Sequence, residues 1–272
     1  MLITSTIAQS KKQAFNNANV NSLLSVNADA KTVKGNSEGY LTGILYLAPH
    51  NTVTSSKVKT VCPSAVAAGC QNACLYTAGR GRFSSVQAGR IKRTESFLAD
   101  SQAFLLALWY DVQGLIRKAA RGGVRPAIRL NGTSDIPWHK YYFTNPEGIT
   151  DNIFNMFPEV QFYDYTKNTH YLNNELPANY YIVFSYSEFN NKYASKAYNA
   201  AINNNTGLAV VFRNKQLPET FLGLPVINAD KTDLRFTDKE AFNITGPYIV
   251  GLYAKGEARY DNSGFVINNG SK

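Results

Sequence analysis

Seven short runs of apolar and aromatic residues punctuate the chain at 42–48, 125–131, 158–165, 179–187, 206–213, 224–229 and 247–254. Each is rich in Val, Ile, Leu, Tyr or Phe and bounded by turn residues, which is the pattern of a buried strand. The strongest helical pattern lies in "TESFLADSQAFLLALWYDVQGLIRKAARGG". There Phe97, Leu98, Phe104, Leu105, Leu108, Trp109, Val112, Leu115, Ile116 and Ala119 recur mainly at spacings of three and four. Thr94 is placed to cap its start, and Lys118 and Arg121 fall near its end, before Gly122-Gly123. "NKYASKAYNAAINNN" (191–205) predicts a second helix, and "GITDNIFNMF" (148–157) a weaker one. No two-residue hairpin joins the runs. Strands separated by helical or longer connections predict βα units and a mainly parallel sheet. The expected fold is therefore α/β: a full or partial (β/α) barrel of about seven mainly parallel strands, or a doubly wound sheet. Residues 1–38 read as a polar, loosely structured N-terminal extension, and 39–272 as a single barrel-like domain without a linker or internal repeat.

Composition adds little to this picture, and charge adds more. The 272 residues are 44% hydrophobic and 17% charged, as in ordinary globular proteins. No apolar run approaches the roughly 18 residues that cross a bilayer. The start, "MLITSTIAQSKK", lacks the charged lead and long apolar stretch of a secretory signal, so a cytoplasmic location without membrane contact is expected. The formal charge of +9 favours an anionic partner, with nucleic acid as the first candidate. The densest basic run is Arg80, Arg82, Arg90, Lys92 and Arg93, and no recognised nucleic-acid motif accompanies it.

In a parallel α/β protein, chemistry gathers at the carboxyl ends of the strands. Here those ends lead into "RLNGTSDIPWH" (129–139), Thr166-Lys167, Ser187-Glu188, Arg213-Asn214, Asp230 and Lys255. The first of these segments sets Asn131, Thr133, Ser134 and Asp135 around Gly132, a residue that lets backbone approach a ligand closely.

After the first strand comes "VCPSAVAAGCQNACLYTAGRGRF", which holds all three cysteines, Cys62, Cys70 and Cys74, in a C-x7-C-x3-C pattern. A disulfide is disfavoured in a cytoplasmic protein and leaves one thiol over. Buried structural thiols are one reading. A zinc site is another, with His50 the nearest of His50, His139 and His170 as fourth ligand. The third reading is a [4Fe–4S] cluster on three thiolates with its fourth iron open.

A strand, a three-cysteine loop and a helix within a βα array resemble the layout in which radical S-adenosylmethionine enzymes keep their cluster. Their usual C-x3-C-x2-C spacing is matched here only by Cys70 and Cys74, and Thr77 stands where the third cysteine would be. "GNSEGYLTGILYLAP", the cysteine block, "RTESFLAD", "PAIRLNGTSDIPW" and "FYDYTK" follow in that order over residues 35–167. Together they resemble a tailed-bacteriophage family named by the gene-product number eighty-eight. That resemblance implies a phage origin, the infected bacterial cytoplasm as location, and a family site made of the cysteines, "RLNGTSD" and "YDYTK".

The leading expectation is a phage iron–sulfur enzyme of radical S-adenosylmethionine type, acting on a nucleotide or nucleic acid. Cys62, Cys70 and Cys74 would hold the cluster. Asn131, Ser134, Asp135, Ser187 and Glu188 would take the amino group or ribose of S-adenosylmethionine. Lys167 and Arg213 would pair with its carboxylate or with a substrate phosphate. Gly79-Arg80-Gly81-Arg82 would set Arg80 and Arg82 on an anion beside the open iron. The alternative is a nucleic-acid-binding protein without catalytic activity, stabilised by Zn²⁺, with Arg80, Arg82, Arg90, Lys92 and Arg93 on phosphates. A third is a Mg²⁺-dependent nuclease using Asp135, Asp164 and Glu188.

Overall fold

The structure, a computed structural model, describes residues 2–27, 30–55, 60–171 and 175–268. In chain order the helices are α1 (Leu2–Asn17), α2 (Ala30–Gly35), α3 (Ser84–Ala99), α4 (Ser101–Arg121), α5 (Asn191–Asn203) and α6 (Asp238–Ala241). The strands are β1 (Leu24–Val26), β2 (Tyr40–Leu45), β3 (Arg125–Arg129), β4 (Tyr142–Thr144), β5 (Thr150–Asn152) and β6 (Gln161–Thr166). They continue with β7 (Tyr180–Ser185), β8 (Gly207–Phe212), β9 (Thr220–Phe221), β10 (Leu224–Asn228), β11 (Tyr248–Tyr253) and β12 (Val266–Ile267).

All seven expected strands form, as β2, β3, β6, β7, β8, β10 and β11, and every pairing among them is parallel. The main sheet has the order β1-β2-β3-β6-β7-β8-β11-β10-β9. The first five parallel strands therefore lie side by side in sequence order, as in a partial barrel. The last two are exchanged, with β11 inserted between β8 and β10. β1 and β9 pair antiparallel to their neighbours and stand at the two ends of the order. No pairing joins those ends among the described residues. β12 runs parallel to β8 at Val211 and Phe212, beyond the point where β7 stops pairing.

Strand residues alternate between two faces. Phe162, Ile182, Phe184, Leu208, Val210 and Ile249 join the main core with α1, α4 and α5. Tyr163, Val183, Ala209, Tyr248 and Val250 face the opposite side, where Leu234, Phe236, Phe242 and Ile244 cover them. Coverage of both faces is why these strands read as near-continuous apolar runs rather than as a clean alternation.

Four local expectations change. The long helical pattern is two helices, because Asp100 leaves helical geometry and caps α4. Its carboxylate accepts from the Gln102 and Ala103 amides at 3.0 Å. Thr94 is not a cap. It lies buried inside α3, where its hydroxyl accepts from the Ala48 amide at 2.8 Å and donates to the Arg90 carbonyl. "GITDNIFNMF" opens not as a helix but as β5, which pairs with β4 as a small antiparallel hairpin. The N-terminal segment is more ordered than its polar composition suggests. It forms α1, β1 and α2, and buries Ala14, Phe15, Ala18, Val20 and Leu23 in the main core. Asp111 of α4 ties it down, accepting from the Leu23 and Leu24 amides at 2.6 and 3.0 Å.

Candidate functional site

The parallel strands end on one edge, and the cysteine loop runs along it. Near β3, the Thr133 hydroxyl donates to the Leu47 carbonyl and the Asp135 amide donates to the Val61 carbonyl at 2.8 Å. Further along, Gly69 lies against Phe189, so close that a Cβ there would sit 2.3 Å from the ring. At the far end Ala73 packs with Ala254, Ala258 and Val266. The loop thus bridges the ends of β2, β3, β7 and β11.

Lys167 and Asp135 lie at the centre of this edge. The Asp135 carboxylate accepts from the Thr166 hydroxyl at 2.7 Å and from the Lys167 amide at 2.8 Å. Burial raises its pKa against the pull of Lys167 and these bonds. Burial alone would push the Lys167 ammonium down, but Cys70, Asp135, Cys62 and Cys74 around it hold its pKa above the ordinary lysine value. All three thiols therefore lie within electrostatic reach of one ammonium group. Cys74 is also within reach of both Cys62 and Cys70. Burial pushes the Cys62 thiol up to about 12, and the Cys70 thiol rises for the same reason. The His50 amide donates to the Cys62 sulfur at 3.2 Å, and the Cys62 thiol faces the Thr133 carbonyl at 3.8 Å. The His50 ring pairs with the Thr60 hydroxyl at 3.2 Å. Among the described residues, no three His, Cys, Asp or Glu side chains are gathered tightly enough to chelate a single metal ion.

The other candidate residues have different surroundings. Asn131 is buried and fully engaged. Its amide donates to the Asp164 carboxylate at 2.8 Å, and its side-chain oxygen accepts from Ser134, the Ile136 amide and the Trp138 indole. Ser134 is occupied in that same turn. Gly132 admits no ligand to its backbone. A Cβ there would lie 2.6–2.8 Å from Tyr46, Ile44 and the Leu45 carbonyl, so the close approach is to β2. Ser187 is buried and donates to the Gly264 carbonyl at 3.4 Å, while Glu188 is exposed beside it. The Arg213 guanidinium is spent on the C-terminal loop, donating to the Arg259 and Asp261 carbonyls and to Asn268. Asp164 is buried behind the edge between the Asn131 amide and the Tyr180 hydroxyl, and burial pushes its carboxyl up to about 7. Asp135, Asp164 and Glu188 do not form a metal-binding group.

The basic run divides in two. Arg80, Arg82 and Lys92 are exposed. Arg90 is buried between the Tyr46 and Tyr76 rings, at 4.7 and 5.2 Å, and donates to the Tyr76 carbonyl at 2.9 Å. The Arg93 side chain donates to the Tyr46 carbonyl at 3.0 Å. These two arginines anchor the cysteine loop to α3 and are not free phosphate contacts. Gly79–Arg82 forms a single 3-10 turn, and Gly81 sits where a Cβ would meet the Tyr76 carbonyl at 2.1 Å. Its missing side chain lets the turn close on Tyr76 beneath Arg90.

A cavity of about 190 Å³ opens beside Lys167, between the cysteine loop and the start of α5, and Lys192, Lys196 and His170 line it. The sequence reading did not single out the two α5 lysines. Their spacing of four residues on a helix was the available signal, since it sets both on one face.

The chain belongs to the family described as Gene product 88, whose model matches residues 18–269. This is the bacteriophage family that the sequence blocks resemble, and the match does not extend to the radical S-adenosylmethionine enzymes. No curated protein and no solved structure shows a significant match to the chain. Among the described residues, no helix is long and apolar enough to cross a membrane.

Proposed function

We propose that this phage protein is an iron–sulfur enzyme in which Cys62, Cys70 and Cys74 hold a [4Fe–4S] cluster with one iron free of protein ligands. The observation that carries this reading is the course of the cysteine loop along the carboxyl edge of a parallel sheet, bonded there to Thr133 and Asp135 and within the electrostatic surroundings of Lys167. The Cys62 and Cys70 thiols, raised in pKa by desolvation, are inert as they stand. A bound cationic metal centre would draw them into the thiolate form, and the His50 amide already points at one of the sulfurs.

A cluster and a single ion ask for different spacings of their ligands. Four ligands on one zinc, at Zn–S about 2.3 Å, bring their sulfurs to about 3.8 Å from each other. A cubane holds its cysteines further apart. Among the described residues, these thiols share one electrostatic neighbourhood with Lys167 and form no group that holds a metal ion as it stands. The zinc reading also has to recruit His50, whose ring is paired with Thr60.

When bound, such a cluster supplies one-electron reduction to S-adenosylmethionine at its open iron. The residues of this chain provide the surroundings. Lys167 stabilises the thiolates and presents a cation to a carboxylate or phosphate. Asp135 fixes the Lys167 backbone. The described part of the cysteine loop, braced by Arg90 at Tyr76, buries Cys70 and half-buries Cys62 and Cys74.

Anaerobic purification with iron, sulfide and zinc analysis tests the reading. A brown protein with about four irons per chain, whose visible absorption bleaches on reduction and whose iron is lost in Cys62→Ser, Cys70→Ser and Cys74→Ser, is expected. A colourless protein carrying stoichiometric zinc, or no metal at all, overturns it.

A further inference from the structure

The cavity beside Lys167 carries an inference about charge and ligand that does not depend on the cluster. Lys167 comes from the end of β6, and Lys192 and Lys196 come from the first turns of α5. His170, Thr169 and Ser64 add hydrogen-bonding groups to the wall, and no carboxylate lines the cavity. Among the described residues, none of the three lysines forms an ion pair with an acidic side chain. Asp135 partly balances Lys167, and the two further positive charges of Lys192 and Lys196 give the cavity its preference for an anion. The Asn190 side chain already accepts from the Lys192 and Tyr193 amides, so the side chains, not the helix end, provide the donors.

A second cavity of about 230 Å³ adjoins the first and shares Thr169, His170 and Lys196 as a common wall. It continues along α5 past Asn199 and Asn203 and is bounded by Tyr171. It offers side-chain amides and an aromatic residue, without a further lysine. The pair of cavities therefore has a cationic end and a neutral, hydrogen-bonding end.

We infer that these cavities bind a phosphomonoester of nucleotide type, with its phosphate on Lys167, Lys192 and Lys196 and its nucleoside along Asn199 and Asn203. The terminal dianion matches three ammonium groups, and charge-assisted contacts of this kind are the strong ones. Ser64 and Ala67 of the cysteine loop form part of the first cavity. The phosphate would therefore sit next to the loop that carries the thiols.

Calorimetric titration with adenosine 5′-monophosphate, adenosine and inorganic phosphate tests this. Adenosine 5′-monophosphate and phosphate are expected to bind, with affinity falling as salt rises, and adenosine to bind far more weakly. Lys192 and Lys196 are exposed, so the double variant Lys192→Gln/Lys196→Gln should keep its fold. It should weaken adenosine 5′-monophosphate binding by at least about tenfold. The equally exposed pair Lys118→Gln/Arg121→Gln, at the end of α4, should leave binding unchanged. The inference is overturned if the parent binds adenosine 5′-monophosphate no better than adenosine, or if the α5 variant binds it as well as the parent. Iron content reports on the cluster separately. Iron-free protein that binds the nucleotide through Lys192 and Lys196 overturns the cluster and keeps this site, and iron-bearing protein that ignores the nucleotide does the reverse.

Discussion

The Asp135 carboxylate and the Lys167 backbone are joined by a 2.8 Å hydrogen bond that ties the loop after β3 to the end of β6. The second carboxylate oxygen takes the Thr166 hydroxyl, and the Asp135 amide holds Val61, next to Cys62. One residue thus sets three strand-end segments in register. Asp135→Ala should leave two buried donors without partners and cost about 1–3 kcal/mol for each. Asp135→Asn, which keeps one acceptor, should fall between. Urea unfolding of the two variants against the parent measures the order, and equal stability of all three would contradict this role.

Lys167 should govern thiol reactivity. Its charge lowers the pKa of Cys62 and Cys70 against a larger upward push from burial. Removing it in Lys167→Met leaves burial unopposed, so the thiolate fraction at any alkaline pH falls. In metal-free protein, the pH profile of alkylation should move to higher pH in this variant. An unchanged profile would mean that Lys167 lies outside the field of the thiols.

Arg90 and Gly81 should determine how firmly the cysteine loop is held. Arg90→Met removes two cation–π contacts and a hydrogen bond to Tyr76, a loss of about 1–2 kcal/mol. Limited trypsin digestion should then cut faster at the exposed Arg80 and Arg82. Gly81→Ala places a methyl against the Tyr76 carbonyl and should cost about 1–3 kcal/mol. Gly79→Ala meets open space and bears only the cost of a positive φ, about 1–2 kcal/mol at most. Gly81→Ala should therefore release more metal than Gly79→Ala, and the reverse order would contradict the packing described.

Asp164 should give stability a pH dependence of unusual sign. Its folded pKa of about 7 lies above the ordinary carboxylate value, with burial the main cause and Arg129 opposing it. Between roughly pH 4 and 7 the folded chain keeps a proton that the unfolded chain releases. The contribution of this group is therefore fully present below pH 4 and is lost as pH rises through 7. Asp164→Asn removes that term, so the parent should lose stability relative to the variant between about pH 4 and 7. Parallel curves for the two proteins would place the Asp164 pKa near its ordinary value.

The sequence by itself determined the seven parallel strands, the gathering of the thiols in one loop and the strand-end position of Lys167. Each follows from local chemistry. A strand covered on both faces must be apolar along its length, and a run of such strands without hairpins must be parallel. The break at Asp100 was also legible, since Asp-Ser before an apolar run is a capping signal, but the periodicity on either side concealed it. Other features were decided only by tertiary structure. The exchange of β10 and β11 leaves no mark on either strand, because both are buried whichever comes first. Asn131, Arg90 and Arg213 look like ligand-binding groups in the sequence. In the fold Arg90 and Arg213 are held by carbonyls 14 to 48 residues away, and the Asn131 amide by Asp164, 33 residues away. Periodicity reports whether a position is buried, but not which distant polar group meets it. The lysine cavity is the converse case: Lys192 and Lys196 are unremarkable alone and become a site with Lys167 because the turn after β6 and the start of α5 line one cavity.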